Sequence, residues 1–126
     1  MININTFTIK AKLPSLNDVI DKNRTNRFAG NNFKQEIQEV IGWEIKQALT
    51  KKTLKPVENP CIIEIEWHEK TRRRDVDNIQ SSQKFILDAL VQNKVLKNDS
   101  QRYVKQVYHQ VYNDNDDFVV VTIKEI

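Results

Sequence analysis

A mixed α+β domain, with a sheet of about four strands and two main helices in the order β-α-β-α-β-β, is the fold this sequence predicts. Three observations predict it. Four short segments alternate apolar and polar residues, two longer ones carry an apolar stripe at helical spacing, and 126 residues suit a single core. One domain over residues 1–126 is therefore expected. With 39% hydrophobic and 29% charged residues and few glycines or prolines, the composition excludes the disordered and fibrous classes.

Residues 2–13 alternate, with Phe7, Ile9, Ala11 and Leu13 on one side and Thr8, Lys10 and Lys12 on the other. That predicts a half-buried strand ending at Pro14. Ser15 to Gly30 is polar and basic, with Lys22, Arg24 and Arg27 among asparagines, and reads as an exposed connection. Asn31 or Asn32 can then cap a helix whose apolar positions are Phe33, Ile37, Val40, Ile41, Ile45, Ala48 and Leu49. Lys51, Lys52, Lys55 and two prolines end it. Cys61 to His68 predicts a strand with Ile63, Ile65 and Trp67 on one face. Ile79, Ile86, Leu87, Leu90 and Val91 form a second helical stripe over about 78–93, followed by an Asn98-Asp99-Ser100 turn. Two β-rich runs in Arg102–Ile126 flank Asn113–Asp117 and predict an antiparallel hairpin.

The net charge of +3 suits a polyanionic partner without requiring one. Cys61 is the only cysteine, so neither an internal disulfide nor a cysteine-based zinc site is expected. The N-terminus lacks a signal-peptide pattern and no stretch suits a membrane span, which predicts a cytosolic protein.

The chemistry is concentrated in Arg72-Arg73-Arg74-Asp75-Val76-Asp77-Asn78. If residues 75–77 continue the strand, Asp75 and Asp77 project from one face with Cα atoms about 6.5 to 7 Å apart. Two carboxylates that close repel unless a cation neutralises them, and hard oxygen donors suit Mg²⁺. Asp99 follows the second helix and joins them only if tertiary folding returns its loop to that place. Three carboxylates around one or two Mg²⁺ ions equip a protein for phosphodiester hydrolysis. Arg72, Arg73 and Arg74 supply fork-shaped phosphate recognition beside them.

The run Arg72 to Gln80, then Lys84-Phe85-Ile86-Leu87-Asp88-Ala89-Leu90, then Asn98-Asp99, resembles the signature of RusA-type Holliday-junction resolvases. Leu13-Pro14-Ser15-Leu16-Asn17 is similar to that family's opening strand and turn, so the likeness spans most of the chain. The resemblance implies the family's fold and a homodimeric, Mg²⁺-dependent endonuclease, with Mn²⁺ as a substitute ion, that nicks two symmetric strands of a four-way DNA junction. It also implies that Asp75, Asp77 and Asp99 are essential and that a lysine assists. The family pattern places that lysine one helical turn after the second aspartate, where this chain carries Ser81. Alignment on Lys84-x-x-x-Asp88-Ala89-Leu90 assigns the role to Lys84 instead and implies three extra residues at the start of the helix. No membrane and no small-molecule cofactor are expected.

Plainer readings stand beside these. Asp-x-Asp after a strand also serves as a helix N-cap, Asp99 as turn chemistry, and the arginines as a solvated loop. Asp88 is spaced to pair with Lys84 and stays outside the catalytic set. Asn113–Asp117 imitates a calcium loop, but its sixth and twelfth places hold Phe118 and Lys124. His68 and His109 are isolated, which suits structural roles, and Glu44-Ile45-Lys46 lies inside the first helix rather than on a strand. Two other functions compete: a DNA-binding recombination accessory without turnover, and a nuclease for flaps or other branched DNA.

Overall fold

The computed structural model describes residues 5–126, the side chain of Arg27 excepted. Eight elements follow one another: β1 (Thr6–Ile9), α1 (Leu16–Thr25), α2 (Arg27–Lys51), β2 (Cys61–Glu69), α3 (Val76–Gln80), α4 (Gln83–Gln92), β3 (Val104–Asn113) and β4 (Phe118–Glu125). The strands form one mixed sheet in the order β1-β4-β2-β3, so the mixed α+β class holds.

The alternation in β2 is complete: Cys61, Ile63, Ile65, Trp67 and Glu69 are buried and the residues between them half-buried. Phe7 and Ile9 of β1 and Val119, Val121 and Ile123 of β4 extend that buried face. Ile37, Ile41, Ile45 and Ala48 of α2 and Phe85, Ile86, Ala89 and Leu90 of α4 complete a single core with it. Fully burying an Ile or Leu side chain stabilises the fold by about 1.5–3 kcal/mol.

Five expectations need correction. The segment read as a connection, 15–30, is mostly helical. Ser15 caps α1 in a capping box with Asp18, and Asn26 Oδ1 accepts from Ala29 N to start α2, ahead of Asn31 and Asn32. Buried Gly30 lets the two helices meet, since a Cβ there would stand 3.1 Å from Asn23 Cα. The helix expected over 78–93 is two helices, α3 and α4, broken at Ser81-Ser82. Residues 75–77 do not extend the strand, because Asp75 occupies the N-cap of α3. The first strand is shorter than 2–13, and residues 2–4 lie outside those described.

The final correction concerns pairing. β3 and β4 form no hairpin, because each pairs with β2, β3 in parallel and β4 antiparallel. The acidic link between them crosses the end of β2 and satisfies its last polar groups. Asp114 N and Asn113 Nδ2 donate to Glu69 O, and Lys70 N donates to Asp117 Oδ1. His68 completes this crossing, bonded to Glu66 and Asp114 and stacked between Tyr112 and Phe118. The Asp114 carboxyl is held below its ordinary range by the Asn115 amide and by His68.

Candidate active site

Glu69 is buried, yet it carries a carboxylate. Its partner is Arg74, whose Nε and Nη2 donate to the two Glu69 oxygens at 2.9 and 2.7 Å in a bidentate pair. Arg74 Nη1 also donates to Leu13 O at 2.9 Å, which ties the segment after β2 to the turn before α1. These contacts occupy three of the five guanidinium N–H groups and leave two for a phosphate.

That tie is the first of a series. Ser82 Oγ donates to Pro14 O, Leu16 N donates to Ser81 Oγ at 3.0 Å, and Asn17 Nδ2 donates to Asn78 Oδ1 at 3.0 Å. Leu13–Asn17 is thus stitched onto 74–82 through Leu13, Pro14, Leu16 and Asn17. The serines explain why α3 ends: Ser81 Oγ donates back to Asn78 O, and the Ser82 hydroxyl leaves its own helix to hold Pro14. Sequence reasoning named both segments but missed Glu69, Asn17, Asn78 and Ser82 as the residues that join them. The available signal was the glutamate on the apolar face of β2, a polar group that must find a partner.

Asp75 and Asp77 stand on this frame, at the N-cap and second residue of α3. Both are exposed, and among the described residues neither carboxylate takes a hydrogen bond or ion pair; Asp75 makes no side-chain cap bond. The N-cap reading thus accounts for the position of Asp75 but not for its side chain. Arg72 and Arg73 are exposed immediately before them, and Lys70 just beyond β2.

Asp99 is elsewhere. Its loop follows the Val57–Leu96 bridge and leads to Val104, which pairs with Cys61 at the opening of β2. Asp75 comes after Glu69, at the closing end of that strand. Nine strand residues, about 26 Å, separate the two ends. Among the described residues no three His, Cys, Asp or Glu side chains gather into a metal-holding group. One chain supplies two neighbouring carboxylates at α3 and does not bring Asp99 to them.

Lys84 opens onto a groove between α2 and α4, where its Nζ lies 3.8 Å from Asp88 Oδ2, the expected pairing. The histidines are structural. Trp67 Nε1 donates to His109 Nδ1 at 3.0 Å, so His109 Nε2 carries the proton that Gln83 Oε1 accepts at 2.8 Å. Burial pushes the His109 pKa down. Burial also pushes the Cys61 thiol up, helped by the Glu125 charge, which keeps it un-ionised and unreactive.

Two exposed, unpartnered carboxylates beside exposed arginines can bind a hard cation and a phosphodiester strand. No helix among the described residues is long and apolar enough to cross a membrane. No curated protein matched the chain. A family model, described as endodeoxyribonuclease RusA, matches residues 13–124, from the Leu13 turn through the sheet to Lys124. The stitched segments both fall within that match, and the chain belongs to the RusA family of Holliday-junction-resolving endodeoxyribonucleases.

Proposed function

We propose that the protein is a Mg²⁺-dependent homodimer that resolves four-way DNA junctions by paired, symmetric cuts in recombination and repair. The observation that carries this reading is the pair Asp75 and Asp77, without a partner among the described residues, on a corner where Arg74, Asn78, Ser81 and Ser82 are all bonded. Carboxylate oxygens fit Mg²⁺, or Mn²⁺ in its place. When bound, the ion supplies an activated water and offsets charge on the leaving oxygen.

Asp75 and Asp77 hold the ion from one protomer, and Asp99 is the third ligand. Because β2 stands between the two places within a chain, the third carboxylate comes from the second copy. A two-fold dimer then builds two equivalent sites for two equivalent scissile phosphates. Arg72 and Arg73 grip the backbone, and Arg74 adds its two remaining N–H groups while holding the frame. Lys84 assists by stabilising charge on the phosphoryl oxygens or by orienting the attacking water. The enzyme works in the cytoplasm at the nucleoid, encoded by a cell or a resident phage, without a small-molecule cofactor.

A mixing experiment tests this. Asp77→Asn and Asp99→Asn should each be inactive on a synthetic mobile junction with Mg²⁺ while still binding it. Mixed together, they form heterodimers with one intact shared site, which should restore single nicks but not paired cuts. Inactivity of the mixture would place all three ligands in one chain. Failure of the wild type to cut, despite tight binding, would favour an accessory protein, and faster cutting of flaps than junctions would change the substrate.

A further inference from the structure

Beside the stitched corner lies a groove of about 460 Å³ that the proposed chemistry touches only through Lys84. Its walls are α2 and α4, and Leu16, whose amide is bonded to Ser81, closes the end nearest α3. The volume falls within the range of about 300–1,000 Å³ usual for ligand clefts. Lys34 faces it from α2 and Lys84 from α4. Among the described residues Lys34 has no ion-pair partner, and Lys84 has only its 3.8 Å contact with Asp88, so two cations meet one carboxylate there.

A second observation comes from the same groove. Gln38, one helical turn beyond Lys34 on α2, donates through Nε2 to Phe85 O at 3.2 Å. Its Oε1 is buried without a donor, the only such side-chain atom among the described residues. A buried acceptor left unpaired destabilises the protein that carries it. Filling the groove with a ligand that brings an N–H, or a water held by the ligand, relieves that cost.

We propose that this groove is a nucleotide subsite for the DNA strand next to the scissile position, with Lys34 and Lys84 holding a phosphate and Gln38 receiving a donor when the nucleotide is seated. Anion and donor are the two halves of one nucleotide: the lysines receive the first, and Gln38, which lines the groove, receives the second by turning its buried amide oxygen toward it. Leu16 and Phe85 add apolar surface against which a sugar or base can rest. The inference rests on the nuclease reading for its choice of DNA, but its test reads binding and not turnover.

The probe is a synthetic four-way junction titrated without divalent metal over a range of salt, using the full-length protein. Lys34→Gln should lower the slope of log K against log salt by about 0.9, the loss of one phosphate contact. Gln38→Met, which keeps size and removes the orphaned acceptor together with the 3.2 Å bond to Phe85 O, should raise the melting temperature of the free protein, because an unpaired buried acceptor costs more than one long hydrogen bond contributes. It should nevertheless weaken junction binding by about fivefold. A purely structural glutamine would move both readouts the same way. An unchanged salt slope in Lys34→Gln overturns the subsite. A Gln38→Met variant that binds as tightly as wild type overturns the donor contact. A wild type that cuts junctions while Lys34→Gln keeps its slope defeats this inference alone. A wild type that never cuts, with the slope altered as expected, defeats the nuclease reading alone.

Discussion

The corner at α3 and the loop carrying Asp99 present the same chemical group in opposite settings. Around Asp75 and Asp77, four long-range hydrogen bonds converge from Leu13–Asn17, joining Arg74 to Leu13, Ser82 to Pro14, Leu16 to Ser81 and Asn17 to Asn78, and Arg74 is bonded twice more to Glu69 at the end of β2. Around Asp99 the bonds are short-range. Ser100 N donates to Asn98 Oδ1, and Tyr103 N and Val104 N donate to Ser100 O. The loop is fastened only at its ends, by the Val57–Leu96 bridge and by Cys61 N to Tyr103 O. One acidic pair is preorganised by its own chain, and on the proposed reading Asp99 is left to be positioned by what it meets.

The largest expected effect shows where the two regions are alike. Asp77→Asn and Asp99→Asn should each reduce junction cleavage on the order of 10³-fold or more, since each removes a proposed metal ligand worth several kcal/mol at the transition state. Neither should shift a urea melt by more than about 0.5 kcal/mol, because both side chains are exposed and unpaired. If Asp99→Asn retains activity, the equivalence of the two regions fails.

Stability is where they should differ most. Arg74→Ala leaves the buried Glu69 carboxylate without its partner and should destabilise the fold by about 3–5 kcal/mol. An alanine at Arg102, beside the Asp99 loop and exposed, should cost less than about 0.5 kcal/mol. Equal melts for the two variants would show that the corner is not the more constrained region. Ser82→Ala is a finer probe. It removes the Ser82 hydroxyl that donates to Pro14 O from a fully buried side chain and should cost about 1–3 kcal/mol. Activity should fall with it, since the Leu13–Asn17 turn then loosens from α3.

The same contrast explains what could be read from the sequence. The strands and the two main helices were legible because their period determines which face is buried: Ile63, Ile65 and Trp67 in β2, and Ile37, Ile41 and Ile45 in α2, all fall on the core side. The helix α1 was not, because Val19 is its only buried residue and Leu16 and Ile20 stay exposed. Its Ser15-x-x-Asp18 capping box was present in the sequence all the same. The pairing of β3 and β4 could not be read from alternation, which fixes the face of a strand and not its neighbour. At the site, Asp75 and Asp77 were legible as a local pattern. The position of Asp99 depends on which end of β2 its loop approaches, a tertiary fact. Likewise, nothing local distinguishes Arg74, with three N–H groups committed inward, from Arg72 and Arg73.

The smallest effect tests the tie between the end of β2 and the start of α4, which sets the corner's geometry. Trp67, His109 and Gln83 form a chain of two hydrogen bonds across β2, β3 and α4, and the first of them requires His109 Nδ1 to be unprotonated. Burial holds the His109 pKa of the folded state below 6.5, which keeps Nδ1 free to accept from Trp67, while the unfolded chain takes up a proton near 6.5. As pH falls through 6.5 the unfolded state binds more protons than the folded state, so this contribution to stability, complete above 6.5, is progressively lost. Wild-type urea midpoints should drop between pH 7.5 and 5.5 more than those of His109→Gln, which cannot titrate. Parallel pH dependence in the two proteins would mean that His109 is protonated as readily in the fold as out of it, and that Trp67 does not hold the tautomer. In that case the end of β2 is anchored to α4 less firmly than Arg74 anchors it to Leu13, and the constrained region stops at the corner itself.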